Sequence, residues 1–323
     1  MKKRVYSSIL IVLILAILFV LKITVPSFGA YFFDAFFGVL ACIAAYEMSK
    51  LLSKTKLYNY QILAVIFPVI MLAVNLLCVF YAGAQDNIYW VLWAILIDIG
   101  LMLLTLVVTF LIGLCSRKKV LNEMATREVK NMSTTKFVFK KCLNTLIIFV
   151  YPSFFFLFFI FINHFNELSL TKLVDLSADI SILVLFTAIL IPMFVDTFAM
   201  LTGSLIGGKK LCPRISPGKT VSGTIGGILW SILLSSCVWL IFANITGFNF
   251  LWTSFPIWAY LIIVLIGSLI AVGGDLFESI LKRRAKVKDS GRFIPGHGGL
   301  LDRIDSYIFI APYILLAFWI FAL

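Results

Sequence analysis

Apolar residues fall in long runs of about twenty positions, separated by short polar stretches. A helix that crosses a hydrocarbon core of about 30 Å needs about 20 such residues. The pattern predicts nine spans, at 5–25, 29–49, 61–81, 89–115, 143–165, 181–203, 223–243, 255–274 and 304–322. A membrane β-barrel would instead show short segments of strict alternation, which are not seen. The expected fold class is all-α, a polytopic integral membrane protein of about nine transmembrane helices. Within it, 1–142 holds the N-terminal helices and a basic loop, and 143–323 holds the chemically informative residues. The opening MKKRVYSSILIVLILAILFVL is signal-like, but its apolar run is long and no A-x-A site follows, so an uncleaved first span is expected.

Composition supports the membrane reading. The chain is 62% hydrophobic and 13% charged, where a soluble domain carries about 25% charge. The net charge of +12 raises the question of nucleic acid, and the placement of the charge answers it. Of the 27 basic residues, 25 fall before the first span or in the even-numbered loops, leaving Lys22 and Lys172 on the other side. That asymmetry obeys the positive-inside rule, so the N-terminus is expected in the cytoplasm and the C-terminus outside. The basic charge then serves topology and attraction to anionic headgroups, and no nucleic-acid partner is expected. Cys42, Cys78, Cys115, Cys142, Cys212 and Cys237 form no CxxC pair and read as small buried apolar residues.

Asp34, Glu47 and Asp98 stand out in the apolar N-terminal half, where charge is costly. A structural pairing is the expectation for each, with Glu47 at the interface beside a basic loop. The segment Ser116–Cys142 carries eight basic residues. A solvated loop is the favoured reading. Val120, Met124 and Val129 at helical spacing also fit an amphipathic helix on the membrane surface.

Three stretches hold groups able to do chemistry. The first runs from Asp196-Thr197 through Gly203, Gly207-Gly208-Lys209-Lys210 and Pro213-Arg214 to Ser216-Pro217-Gly218-Lys219-Thr220. Its glycines allow close backbone approach, and its lysines and hydroxyls suit phosphate. Gly218-Lys219-Thr220 is no P-loop, because Pro213 stands where that motif requires glycine. In the second stretch Asp275, Glu278, Ser279 and Lys282 share one face if the eighth helix continues. In the third, His297 lies between glycines, and Asp302, Asp305 and Ser306 share a face as the last span begins. Carboxylates from separate helices facing one cavity would hold Mg²⁺ together with water and phosphate. His297 is expected to pack in its turn rather than act as a base.

Ser279 to Asp305 resembles the signature of phosphatidate cytidylyltransferases (CDP-diglyceride synthases), S-x-hydrophobe-K-R, then K-D, then P-x-H-G-G-hydrophobe-x-D-R-hydrophobe-D. Ser279, Lys282, Arg283, Lys288, Asp289, Pro295, His297, Gly298, Gly299, Asp302, Arg303 and Asp305 fall on it. Upstream, Asp196-Thr197, Pro213-Arg214-Ile215-Ser216-Pro217 and Lys219-Thr220 are similar to that family too, so the likeness covers roughly 190–310. The resemblance implies conversion of CTP and phosphatidate to CDP-diacylglycerol and pyrophosphate in phospholipid biosynthesis. It implies required Mg²⁺, leaves room for a second, monovalent cation, and implies a homodimer in the plasma membrane whose site opens to the cytoplasm and sideways to lipid. Asp275 and Asp302 would be the leading metal ligands, with Asp196 and Asp305 supporting metal or nucleotide and Lys282 catalytic. Ser216, Lys219, Thr220, Arg283, Lys288 and Arg303 would bind phosphates. Four positions depart from the family pattern: Gly218 for a lysine, Ser222 for a glutamate, and Met200 and Ser204 where an aromatic and an arginine are usual. Two alternatives are a related CTP-dependent lipid kinase or transferase, told apart by its products, and a membrane transporter, for which no internal repeat is found.

Overall fold

The computed structural model describes residues 2–25, 28–55, 58–85, 89–127, 129, 132–166, 180–246, 257–291, 293 and 298–322. The N-terminal half holds α1 (Lys2–Thr24), α2 (Gly29–Lys54), α3 (Gln61–Gln85), α4 (Tyr89–Cys115) and α5 (Arg117–Thr126). Then α6 (Thr134–Ile148) passes through a π-helical turn at Phe149–Phe154 into α7 (Phe155–Asn163). The wide turn has a local cause. Pro152 has no N–H and crowds the preceding turn, and the Ser153 hydroxyl donates to the Ile148 carbonyl at 3.2 Å in partial compensation. The rest comprises α8 (Ile180–Ile206), a hairpin of β1 (Lys210–Cys212) and β2 (Ser216–Thr220), then α9 (Val221–Thr246), α10 (Ile257–Arg284) and α11 (Leu301–Ala322).

Eight helices among the described residues are long and apolar enough to cross a membrane. The one expected span not among them is the first, in α1, whose described apolar part, Leu10–Thr24, is shorter. The architecture is therefore the all-α, multi-pass one expected, with the small antiparallel hairpin as an addition.

The core is rich in phenylalanine and lies where α2, α7, α8, α10 and α11 meet. Phe37 of α2 stacks on Phe159 of α7 with ring centroids 4.7 Å apart. Helices α8 and α9 approach each other unusually closely. A Cβ on Gly227 would lie 2.6 Å from the Val195 carbonyl oxygen, and one on Gly223 would lie 2.5 Å from that of Ala199. Small residues permit such backbone contact in lipid, where no hydrophobic force drives helices together. Gly227→Val is expected to wedge the pair apart and cost about 2 kcal/mol, read as a lower melting temperature of the purified protein.

Asp34, fully buried on α2, accepts from Asn163 Nδ2 at 2.9 Å and lies 2.7 Å from His164 Nε2. Lys22 donates to Asn163 Oδ1 at 2.8 Å, so α1, α2 and α7 are tied together at the end of the bundle away from the hairpin. Asp98 of α4 is buried beside Asn75 of α3, with its Oδ1 lacking a hydrogen-bond partner among the described residues.

The segment after α4 departs from the favoured solvated loop. Arg117–Thr126 is helical, α6 begins at Thr134, and Val120 and Met124 are buried against Phe137, Val138 and Cys142. Glu123 binds Lys141 at 2.9 Å across the two helices. Helical spacing of three apolar residues outweighed the local charge, because a neighbouring helix was there to cover them.

Candidate active site

Helices α8 and α10 end where α9 and α11 begin, and the β1–β2 hairpin joins the α8–α9 pair at that same end. There they enclose a cavity of about 690 Å³. Asp196 reaches it from α8, Lys210 from β1, and Ser216, Lys219 and Thr220 from β2. Asp275 and Lys282 line it from α10, and Asp302, Arg303 and Asp305 from α11. The eighth span does continue as helix to Arg284, which places Asp275 and Lys282 two turns apart on one wall.

Within this wall charges alternate. Lys219 forms an ion pair with Asp275, whose other oxygen lies 3.4 Å from the Ser279 hydroxyl. Lys282 bridges Glu278 and Asp302, donating to Asp302 Oδ1 at 2.8 Å. Glu278 is fully buried, and Lys282 is its ionic partner.

Asp302 is the best-held carboxylate in the site. Besides Lys282 it accepts the backbone N–H of Ser290 at 3.0 Å and of Gly299 at 2.8 Å. Gly298, at φ +88, makes the turn that aims the Gly299 amide at the helix start. A carboxylate offers about four lone-pair sites, so three donors leave one able to take a cation. Asp305, one turn further along α11, is buried and accepts from the Ser306 N–H at 2.6 Å.

Thr220 does a structural job as well as lining the cavity. Its Oγ1 accepts the Gly223 N–H at 3.1 Å, capping the N-terminus of α9. Of the positions that depart from the resemblance, Ser222 donates to the Gly207 carbonyl, fixing the turn in which Gly207 and Gly208 have φ +67 and +104. Gly218, Met200 and Ser204 face the cavity.

Two of the expected phosphate ligands are directed elsewhere. Arg283 donates through Nε to the Ile215 carbonyl at 2.9 Å, which ties α10 to the hairpin turn, and it does not line the cavity. Lys288 is exposed and likewise outside the lining. Pro295 and His297 lie outside the described residues.

One residue of the site region lies outside the motifs read from the sequence. Glu47, buried at 4% exposure on α2, accepts the Leu301 N–H at 2.9 Å and the Ser290 hydroxyl at 3.2 Å. Its carboxylate sits against Gly291 and Gly299, where a Cβ on Gly291 would fall 2.0 Å from Glu47 Oε1. Glu47 and Asp302 thus grip the same Ser290 and the same turn from opposite sides. The only cue in the sequence is an acid at the end of an apolar helix, which does not reveal a partner 254 positions away.

Among the described residues, no three Asp, Glu, His or Cys side chains converge as a ready-made metal cage. Four carboxylates, Asp196, Asp275, Asp302 and Asp305, nevertheless line the one cavity. That donor set fits Mg²⁺, which takes one or two carboxylates and completes its shell with water and substrate phosphate. Asp275 and Asp302 stand on separate helices, each paired with a lysine ammonium group.

The chain resembles several curated proteins over part of its length. The phosphatidate cytidylyltransferase of Staphylococcus saprophyticus is 46% identical over 125 residues, 39% of this chain and 45% of that relative. Those of Staphylococcus haemolyticus and Staphylococcus aureus are each 45% identical over 125 residues, with the same shares covered. The match thus spans somewhat under half the length of these curated relatives. A sequence model described as the cytidylyltransferase family matches residues 2–321, which takes in Glu47 as well as the charged cavity, and the chain belongs to that family.

Proposed function

We propose that this protein transfers the cytidylyl group of CTP to phosphatidate, forming CDP-diacylglycerol and pyrophosphate. The observation that carries the reading is the single cavity in which Asp196, Asp275, Asp302 and Asp305 stand among Lys210, Lys219, Lys282 and Arg303. The curated relatives, named phosphatidate cytidylyltransferases, support it.

In this reaction an oxygen of the lipid phosphate attacks the α-phosphorus of CTP. One P–O bond forms, the bond to the bridging oxygen of the β-phosphate breaks, and pyrophosphate leaves. The nucleophile is already anionic near neutral pH, so the obstacle is repulsion between two anions and not removal of a proton. Fixed cations offset that repulsion with little reorganisation. Lys219, steered by Asp275, and Lys210 approach from the hairpin side, and Lys282 and Arg303 from the α10–α11 side. Mg²⁺ held by Asp275 and Asp302, with Asp196 and Asp305 nearby, would supply Lewis-acid polarisation and neutralise the leaving pyrophosphate. The cavity lies at the end of the bundle bearing the basic loops, which by the positive-inside rule faces the cytoplasm.

The test uses purified protein, phosphatidate micelles, and CTP labelled in the cytosine. Label is expected in the lipid phase only with phosphatidate and Mg²⁺ together, and chelation should stop the transfer. CDP and a phosphorylated lipid alcohol as products would move the protein to the lipid kinases. No label in lipid from folded protein would sink the proposal.

A further inference from the structure

A second cavity, of about 400 Å³, lies beside the first and is almost wholly apolar. Ile14 and Leu15 of α1, Phe36 and Leu40 of α2, and Ile304 and Tyr307 of α11 line it. Its volume is in the range of specific ligand pockets, roughly 300–1,000 Å³. Its floor is buried: Phe37, Leu300 and Ile304 line it while only 3%, 6% and 6% exposed. One wall is α1, whose Leu10 and Ile11 are 56% and 38% exposed. Phe293, 58% exposed in the loop between α10 and α11, adds an aromatic edge.

What identifies the occupant is Arg303, the residue that lines both cavities. An arginine that lines both a carboxylate- and lysine-lined chamber and an apolar one is placed for an amphiphile with a phosphate joined to a hydrocarbon chain. Its neighbours Asp302 and Ile304 show the same division within one helical turn, the first lining the polar cavity and the second the apolar one. We propose that the apolar chamber between α1, α2 and α11 holds one acyl chain of the lipid whose phosphate Arg303 holds. This rests on the reading that the lipid substrate is a phosphatidate. It extends that reading to the residues that select chain length, with the helices α1 and α2 forming the acyl subsite.

Two measurements on the full-length protein test it. Phosphatidate with a diazirine near the end of one acyl chain is photolysed with the protein, in parallel with phosphatidylcholine bearing the same group. Crosslinks from phosphatidate are expected on α1, α2 or α11 peptides lining the chamber, competed by unlabelled phosphatidate and well above those from phosphatidylcholine. Equal labelling by both lipids would show an ordinary annular groove and overturn the proposal. Secondly, Ile14→Trp fills the chamber. The ratio of turnover on long-chain to short-chain phosphatidate is expected to fall about tenfold, the effect of displacing roughly two methylenes. Leu40→Ala, which enlarges the chamber, should move the ratio the other way and serves if the tryptophan variant does not fold. A ratio unchanged in a folded variant would also overturn the subsite. If wild-type protein makes no CDP-lipid yet labels selectively with phosphatidate, the activity reading falls and the acyl chamber stands.

Discussion

Asp302→Asn is expected to lower CDP-lipid formation by about 10³-fold, or about 4 kcal/mol of barrier, while the protein still inserts and folds. The substitution keeps the shape and removes the charge. Asp302 accepts three donors, Lys282 on Oδ1, Gly299 N–H on Oδ2, and Ser290 N–H shared between them. An asparagine has one acceptor oxygen, so either orientation turns an NH₂ group toward donors. The turn that seats the start of α11 loses a partner, and the remaining anionic site for a cation is gone. Lys282 still has Glu278, which is why folding should survive. Turnover is compared with wild type at saturating CTP, with folding followed by size-exclusion chromatography in detergent. Turnover within tenfold of wild type would remove Asp302 from the metal role. Asp302→Glu, which keeps charge but shifts it by one methylene, separates loss of charge from loss of placement and should retain more activity than the asparagine.

The charged cavity was legible because its parts are conspicuous in the sequence. In an oily chain, a dense polar stretch from Ser279 to Asp305 has few structural reasons to exist, and helical spacing alone put Asp275 with Lys282 and Asp302 with Asp305. Spacing does not say which way a basic residue turns. Arg283 adjoins Lys282, yet one serves the cavity and the other the Ile215 carbonyl, because adjacent helical positions point about 100° apart. The hairpin was missed for a different reason. Lys210–Thr220 is short, polar and rich in Gly and Pro, so it carries no alternating pattern, although its two strands pair antiparallel between α8 and α9. The apolar chamber was equally invisible, since lining residues such as Ile14 and Leu40 look like any others on a membrane helix. Long-range polar contacts were the hardest to see. Asp34 finds Asn163 and Glu47 finds Leu301 only after the helices have packed.

The second large effect is expected at Glu47, where removing a side chain outside the cavity should disable it. Glu47→Ala leaves the Leu301 N–H and the Ser290 hydroxyl without their buried acceptor. Two stranded donors cost about 3 kcal/mol of stability in total. Activity should fall further than stability alone explains. Ser290 N–H and Gly299 N–H are what orient Asp302, and both lie in the turn that Glu47 braces. A displacement of about 1 Å at a reacting group costs about 10²-fold in rate. Glu47→Gln provides the discriminating control. Both donors reach the same oxygen, Oε2, so a glutamine oriented with its carbonyl there keeps both bonds and loses only charge. The glutamine variant should therefore retain most of the wild-type kcat and melting temperature, and the alanine variant should lose both, with the loss in kcat exceeding that in CTP affinity. Equal damage from both substitutions would mean that the charge of Glu47 matters and its hydrogen bonds do not. An alanine variant with near wild-type kcat and melting temperature would show that α2 does not brace the site at all.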